Sequence, residues 1–166
     1  MNSASKRKAI QAVENLIISA YSGVTLEDGI GLYEGLEIDS YASAKERAAA
    51  RQKDEKENWT KIPVDLLNGA ATSLSYFDAK GMRFHLPAYL VADLRGQLHQ
   101  DIRFHLNTNG LDLRFSLLNS QQRLAVRCYL QLQLEILPEP NLQFEGSAIQ
   151  NSINGFWGID STADCS

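Results

Sequence analysis

Residues 59 to 96 constrain the fold more than any other part of the chain, because they hold its densest run of aromatic and aliphatic side chains. Trp59-Thr-Lys-Ile62-Pro63 leads into Leu66-Leu67, and then come Tyr76-Phe77-Asp78-Ala79-Lys80-Gly81-Met82-Arg83-Phe84-His85-Leu86-Pro87-Ala88-Tyr89-Leu90. A segment this apolar belongs in a core. Asp78 to Gly81 reads as a tight turn, and Pro87, which the first helical turn tolerates, is expected to start a helix running to Leu94. Phe84 then points inward, while Arg83 and His85, its neighbours in an extended segment, point away and are partly solvated.

A chain of 166 residues with 44% apolar content is long enough for one core that needs no staples. The expectation is a single globular helical domain over residues 1–160 with a disordered tail at 161–166. A net charge of −4 does not supply the concentrated positive face that duplex nucleic acid or an anionic membrane requires. No apolar run reaches the ~20 residues of a membrane span, and the start of the chain has no apolar signal core. Neither nucleic acid nor membrane is therefore expected as a partner, and a cytoplasmic location follows by default. Cys128, in an apolar segment, and Cys165, near the end, imply no disulfide framework. One buried thiol and one free tail thiol are expected.

Helical periodicity carries most of the rest. Ile10, Val13, Ile17 and Tyr21 recur at three and four residues, which predicts a first helix from about Ser5 to Tyr21. Its opening Lys6-Arg7-Lys8 opposes the helix macrodipole and reads as a solvated, frayed start, with an acidic partner as the sharper alternative. Ser43 and Glu46 match a capping box, so a second helix is expected from there to about Asn58, with a thin inward stripe of Tyr41, Ala44 and Ala48. Ile62-Pro63 breaks it, and Val64 to Ala71 reads as a short helix. Within 111–117 apolar and polar residues alternate, so a small β-hairpin with Phe104 and Leu106 across Asn107 to Gly110 is expected. Arg123, Arg127, Gln131 and Glu135 occupy one polar arc of a core helix from Gln121 to about Glu135. Pro138-Glu-Pro140 ends it, and a last helix from Asn141 to Trp157 is expected, with an apolar stripe through Phe144, Ala148, Ile149, Ile153 and Phe156, stopped by Gly158. The fold class is mainly α, a helical-bundle-like core with at most one small hairpin.

The most function-like stretch is Ser22 to Tyr41, where Gly23, Gly29, Gly31 and Gly35 interleave with Glu27, Asp28, Glu34, Glu37 and Asp39 and no basic residue occurs. Glycines allow close backbone approach, and clustered carboxylates suit a hard cation or a basic partner. The specific templates fail. A calcium loop counted from Asp28 would need oxygen ligands where Ile30 and Leu32 stand, and the dinucleotide fingerprint is off by one with no preceding strand. The plain alternative is a connector whose apolar residues tuck onto the core. His85, His99 and His105 are spaced fourteen and six residues apart, which fits no helix-face ligand pair, so neither a metal nor a cofactor is expected.

Trp59-x-x-Ile62-Pro63, Phe77-Asp78-x-x-Gly81-x-Arg83-Phe84-x-Leu86-Pro87-Ala88-Tyr89-Leu90, and Phe115-x-Leu117-Leu118-x-x-x-Gln122-x-x-Ala125-Val126 with Leu130 resemble a family of bacterial proteins classed only as a domain of unknown function. The resemblance covers much of the chain and implies a bacterial, cytosolic protein, with no catalytic residue to carry over. Two functional expectations follow from the residues. The first is a non-enzymatic binding protein, immunity-like or an adaptor, that offers Glu27, Asp28, Glu34, Glu37 and Asp39 to a basic surface. The second is a hydrolase or metal-assisted enzyme that gathers those carboxylates with Arg83 or His85 for acid and base work. The sequence leaves the oligomeric state open.

Overall fold

A computed structural model describes residues 2–107 and 112–158, and among these the chain is mainly α, with eight α-helices and no strand. They are α1 (Ser3–Ala20), α2 (Leu32–Asp39), α3 (Ala44–Arg51), α4 (Val64–Gly69), α5 (Ala79–Leu94), α6 (Arg103–Leu106), α7 (Ser120–Ile136) and α8 (Glu139–Asn154). No described helix is long and apolar enough to cross a membrane. The contacts divide into two compact units, one holding the chain up to Ala20, Arg103–Asp112 and everything from Leu118, the other holding Tyr21–Ile102 and Leu113–Leu117. The expected tail at 161–166, Cys165 and the turn at 108–111 lie outside the described residues.

In the first unit α1 packs on α7 and α7 on α8. Val13 and Ile17 are buried, and the residues from Ser3 to Lys8 are exposed, which matches the solvated start expected for Lys6, Arg7 and Lys8. Asn119 caps α7 in a reciprocal box with Gln122, whose amide also donates to the Ala20 carbonyl at 3.3 Å. One side chain thus ties the start of α7 to the end of α1. α7 runs to Ile136 as its polar arc predicts, and Ala125, Val126, Tyr129, Leu130 and Leu132 are buried. Cys128 is a correction: it is buried as expected, but it is disulfide-bonded and not a free thiol. Phe144 is a second, because it is 84% exposed. It lies five residues from the buried Ile149, about 140° round the helix, so the two cannot share a face. Beyond α8, Arg123 donates to the Phe156 carbonyl and covers its ring at 4.6 Å, while the Trp157 indole donates to the Leu106 carbonyl at 2.9 Å.

In the second unit α2 packs on α3 and on the 3-10 turn Ala71–Ser75, and α5 packs on the 3-10 turns Trp59–Lys61 and Leu113–Phe115. The expected hairpin is absent among the described residues, because Phe104 to Leu106 wind into α6 and the alternating stretch forms one tight turn that buries Phe115. α3 starts on the expected capping box of Ser43 and Glu46 but ends at Arg51, seven residues early. Its inward residue is Ala50. Tyr41, expected on that stripe, is 95% exposed with a left-handed φ of 58°.

α5 is the largest departure. It does not start at Pro87 but eight residues earlier, where the Asp78 carboxylate accepts from the Gly81 amide at 2.8 Å. The expected turn is this cap, and Pro87 sits inside the helix, where its missing N–H costs the bond to the Arg83 carbonyl. The burial all round α5 repays that loss. Fully burying one Phe or Leu is worth ~1.5–3 kcal/mol, and Met82, Phe84, Leu86, Tyr89 and Leu90 have no exposed surface.

Candidate functional site

The acidic stretch singled out in the sequence folds as two pieces, a strap over residues 26–31 and then α2. Glycines fix the path of the strap. A side chain at Gly81 would overlap the Ile30 carbonyl oxygen, and one at Gly29 would stand 2.6 Å from the Gly81 nitrogen, so two backbones approach here as only glycines permit. Asp78 joins them by accepting from the Ile30 amide at 3.0 Å as well as from Gly81.

The strap's carboxylates meet cations from distant parts of the chain. Glu27 pairs with Lys80 at 3.0 Å and with Arg83, and Asp28 pairs with Lys80. The hydrogen bond from Lys80 is the main reason both carboxyls titrate below their usual range. Arg51 donates to the carbonyls of Glu27 and Gly29 and pairs with Glu34 at 3.3 Å, and Arg47 pairs with Glu34 at the same distance. The acidic segment and Arg83 therefore share one side of this unit. The fixed arrangement is a charge network, not a row of free acids.

The N-terminus of α2 is closed by a residue from beyond α3. Gly31 occupies the cap position without a side chain, and the buried Asp54 carboxylate instead accepts from the amides of Tyr33 at 2.8 Å and Glu34 at 3.4 Å. Any side chain at Gly31 would overlap that carboxylate. Burial raises the Asp54 pKa, against the lowering effect of the two amides. At the other end of α2, Asp39 accepts from the Tyr76 hydroxyl at 2.8 Å, which raises the tyrosine's pKa. Glu37 makes no side-chain hydrogen bond or ion pair among the described residues, and the fully displayed Tyr41 follows directly.

His85 is not where the sequence suggested. An extended 83–85 segment would have turned it to solvent, but in a helix it lies about 200° from Arg83 and is 1% exposed. Its ring stacks on Phe77 at 4.5 Å and 9° and meets the Phe84 ring edge-on at 5.0 Å. Nδ1 lies 2.7 Å from the Gly81 carbonyl oxygen, which can only accept, so Nδ1 carries the proton. Burial lowers its pKa to about 4. Of the alternative pair, Arg83 joins the acids and His85 does not.

Chemically, this edge offers fixed carboxylates, four cations and an exposed phenol. Among the described residues no group of three or more His, Cys, Asp or Glu side chains is arranged to hold a metal ion. Lys80, Arg47, Arg51 and Asp54 were not legible as part of the site, because their partners lie from 13 to 53 residues away. The Gly29-Ile-Gly31 spacing was the one available signal. It marks close approach to the chain itself. No curated protein and no solved structure matches the sequence. The family model of DUF6714, a family of unknown function, matches residues 10–158, and the chain therefore belongs to that family.

Proposed function

We propose that this chain is a small non-enzymatic binding protein, immunity-like or an adaptor, that presents the face from Glu27 to Tyr41 to the basic surface of a partner protein. The observation that carries the reading is Tyr41, a large aromatic held 95% exposed in a left-handed conformation. Such a backbone costs of order 1–3 kcal/mol, and outliers of this kind cluster at functional sites. Tyrosine is also a preferred anchor at protein interfaces, offering contact area at low entropic cost. Glu37, open to a cation, lies one helical turn before it, and at the other end of α2 Asp28 keeps its side chain 84% exposed although paired. Exposed charges are screened within ~8–10 Å at physiological salt, so the complex is expected to be salt-sensitive. Affinity capture with the whole chain at low and high salt tests this, with Tyr41→Ala and Glu37→Gln beside the native protein. A basic partner held at low salt and lost from both variants supports the reading. No retained partner, or one held equally by both variants, overturns it.

A bacterial, cytoplasmic setting belongs to the same proposal. The disulfide at Cys128 weighs against a reducing compartment, and thiol trapping in freshly quenched cells decides: a reduced Cys128 supports the cytoplasmic setting and an oxidised one overturns it. The hydrolytic alternative draws support from Arg83 beside Glu27 and none from His85, which has no exposed face to offer as a base.

A further inference from the structure

We propose that His85 is an acid-sensitive latch for the 26–31 strap: a second proton on its ring drives the imidazole out of its aromatic slot, loosens the first turn of α5 and releases the strap. The chain of contacts is short. His85 holds the Gly81 carbonyl, the Gly81 nitrogen and the Ile30 carbonyl lie where backbone meets backbone, and Asp78 binds the amides of both Gly81 and Ile30. With Nδ1 already protonated, the added proton falls on Nε2, in a pocket walled by Phe77 and Phe84. A charge on a ring that is only 1% exposed is costly unless it is paired.

The groups around the ring leave it the sensor in mildly acid solution. Asp78 is the one charge acting on it appreciably and favours the proton without offsetting burial. The 3-10 turns packed on α5 bring Lys61, which is exposed, and Arg114, which donates to the Leu74 carbonyl at 3.3 Å. The strap's own carboxylates titrate below their usual range, so their pairs with Lys80 outlast the window in question. Asp54, which holds α2 directly after the strap, has a raised pKa, so a proton taken up there favours the closed state and opposes the opening.

An opened imidazole takes up protons at its ordinary ~6.5 while the closed one does not. The open fraction of the strap should therefore rise on the order of 30-fold from about pH 7.5 to about pH 5. Hydrogen exchange of residues 26–31 in the whole chain, corrected for intrinsic rates, reads this directly. The expected result is that rise in the native protein, its absence in His85→Gln, and its persistence in Asp54→Asn. A strap whose protection ignores pH overturns the proposal, as does an unchanged response in His85→Gln or a response lost in Asp54→Asn. Should His85→Gln fail to fold, NMR titration of His85 in the native chain decides. A midpoint near 6.5 with the strap still protected overturns the latch, and one well below it that tracks strap exchange supports it.

Discussion

α5 and the neighbouring edge formed by the strap, α2 and α3 belong to one unit but are ordered by opposite means. Twelve of the sixteen residues of α5 are buried, whereas α3 buries only Ala50 of its eight. α5 holds its place by removing apolar surface from water, a force that is non-directional and is not screened by salt. The edge holds its shape through directional contacts: Arg51 on two carbonyls and a carboxylate, Asp54 on two amides, Lys80 on two acids. Such contacts fix geometry more than they add stability, since exposed pairs are each worth ~0–1 kcal/mol. The half of the unit that looks most functional is thus also the half whose form depends on protons and ions.

The comparison is broken most directly by making a cavity. Phe84→Ala should lower stability by ~3–5 kcal/mol and Leu90→Ala by ~2–5 kcal/mol, read from thermal or urea melts. If both cost less than 1 kcal/mol, α5 is not held by burial. Next comes acid. His85 has a folded pKa of about 4, below its unfolded ~6.5, so its contribution is whole above pH 6.5 and is lost as the solution is acidified toward pH 4. The loss is roughly 3 kcal/mol. Asp54 works with the opposite sign, because a raised folded pKa makes the folded state the better proton acceptor. Urea melts across this range should therefore fall more steeply in Asp54→Asn than in the native chain. A smaller effect tests the edge alone: Gly31→Ala must displace the Asp54 carboxylate from two amides and should cost about 2 kcal/mol. An unchanged melt would mean that the close approach is not a constraint. Smallest is Lys80→Ala, which removes only solvent-exposed pairs of the kind that contribute little to stability. Its effect should shrink further in about 0.5 M salt, where the screening length drops toward ~4 Å, while Phe84→Ala stays unchanged.

What the sequence disclosed divides along the same line. α1, α7 and the start of α3 were legible because each carries its own local signal, a 3.6-residue stripe or a capping box. α5 was missed because a helix buried all round has no polar face to set a period, and because Gly81 and Pro87 both read as breakers. α2 was hidden by Gly31 and Gly35, which imitate a loop. For the site, the five carboxylates could be named, but the cations that meet them could not. Arg83 stands 56 residues from Glu27, and no local spacing rule reaches that far. His85 went wrong by inheritance, since its solvent-facing placement rested on an extended backbone that is helical.

Pro87 has one further consequence. Helix growth is cooperative because each residue added closes a bond to the turn before it, and at position 87 that relay is interrupted. α5 is therefore one helix whose hydrogen-bond ladder lacks a rung at its middle. The missing rung falls between the stretch from Ala79 to Leu86, which carries Lys80, Gly81, Arg83 and His85, and the stretch from Ala88 to Leu94. A proline that looks like a defect in a buried helix thus marks the boundary between the turns that touch the charged edge and the turns beyond it.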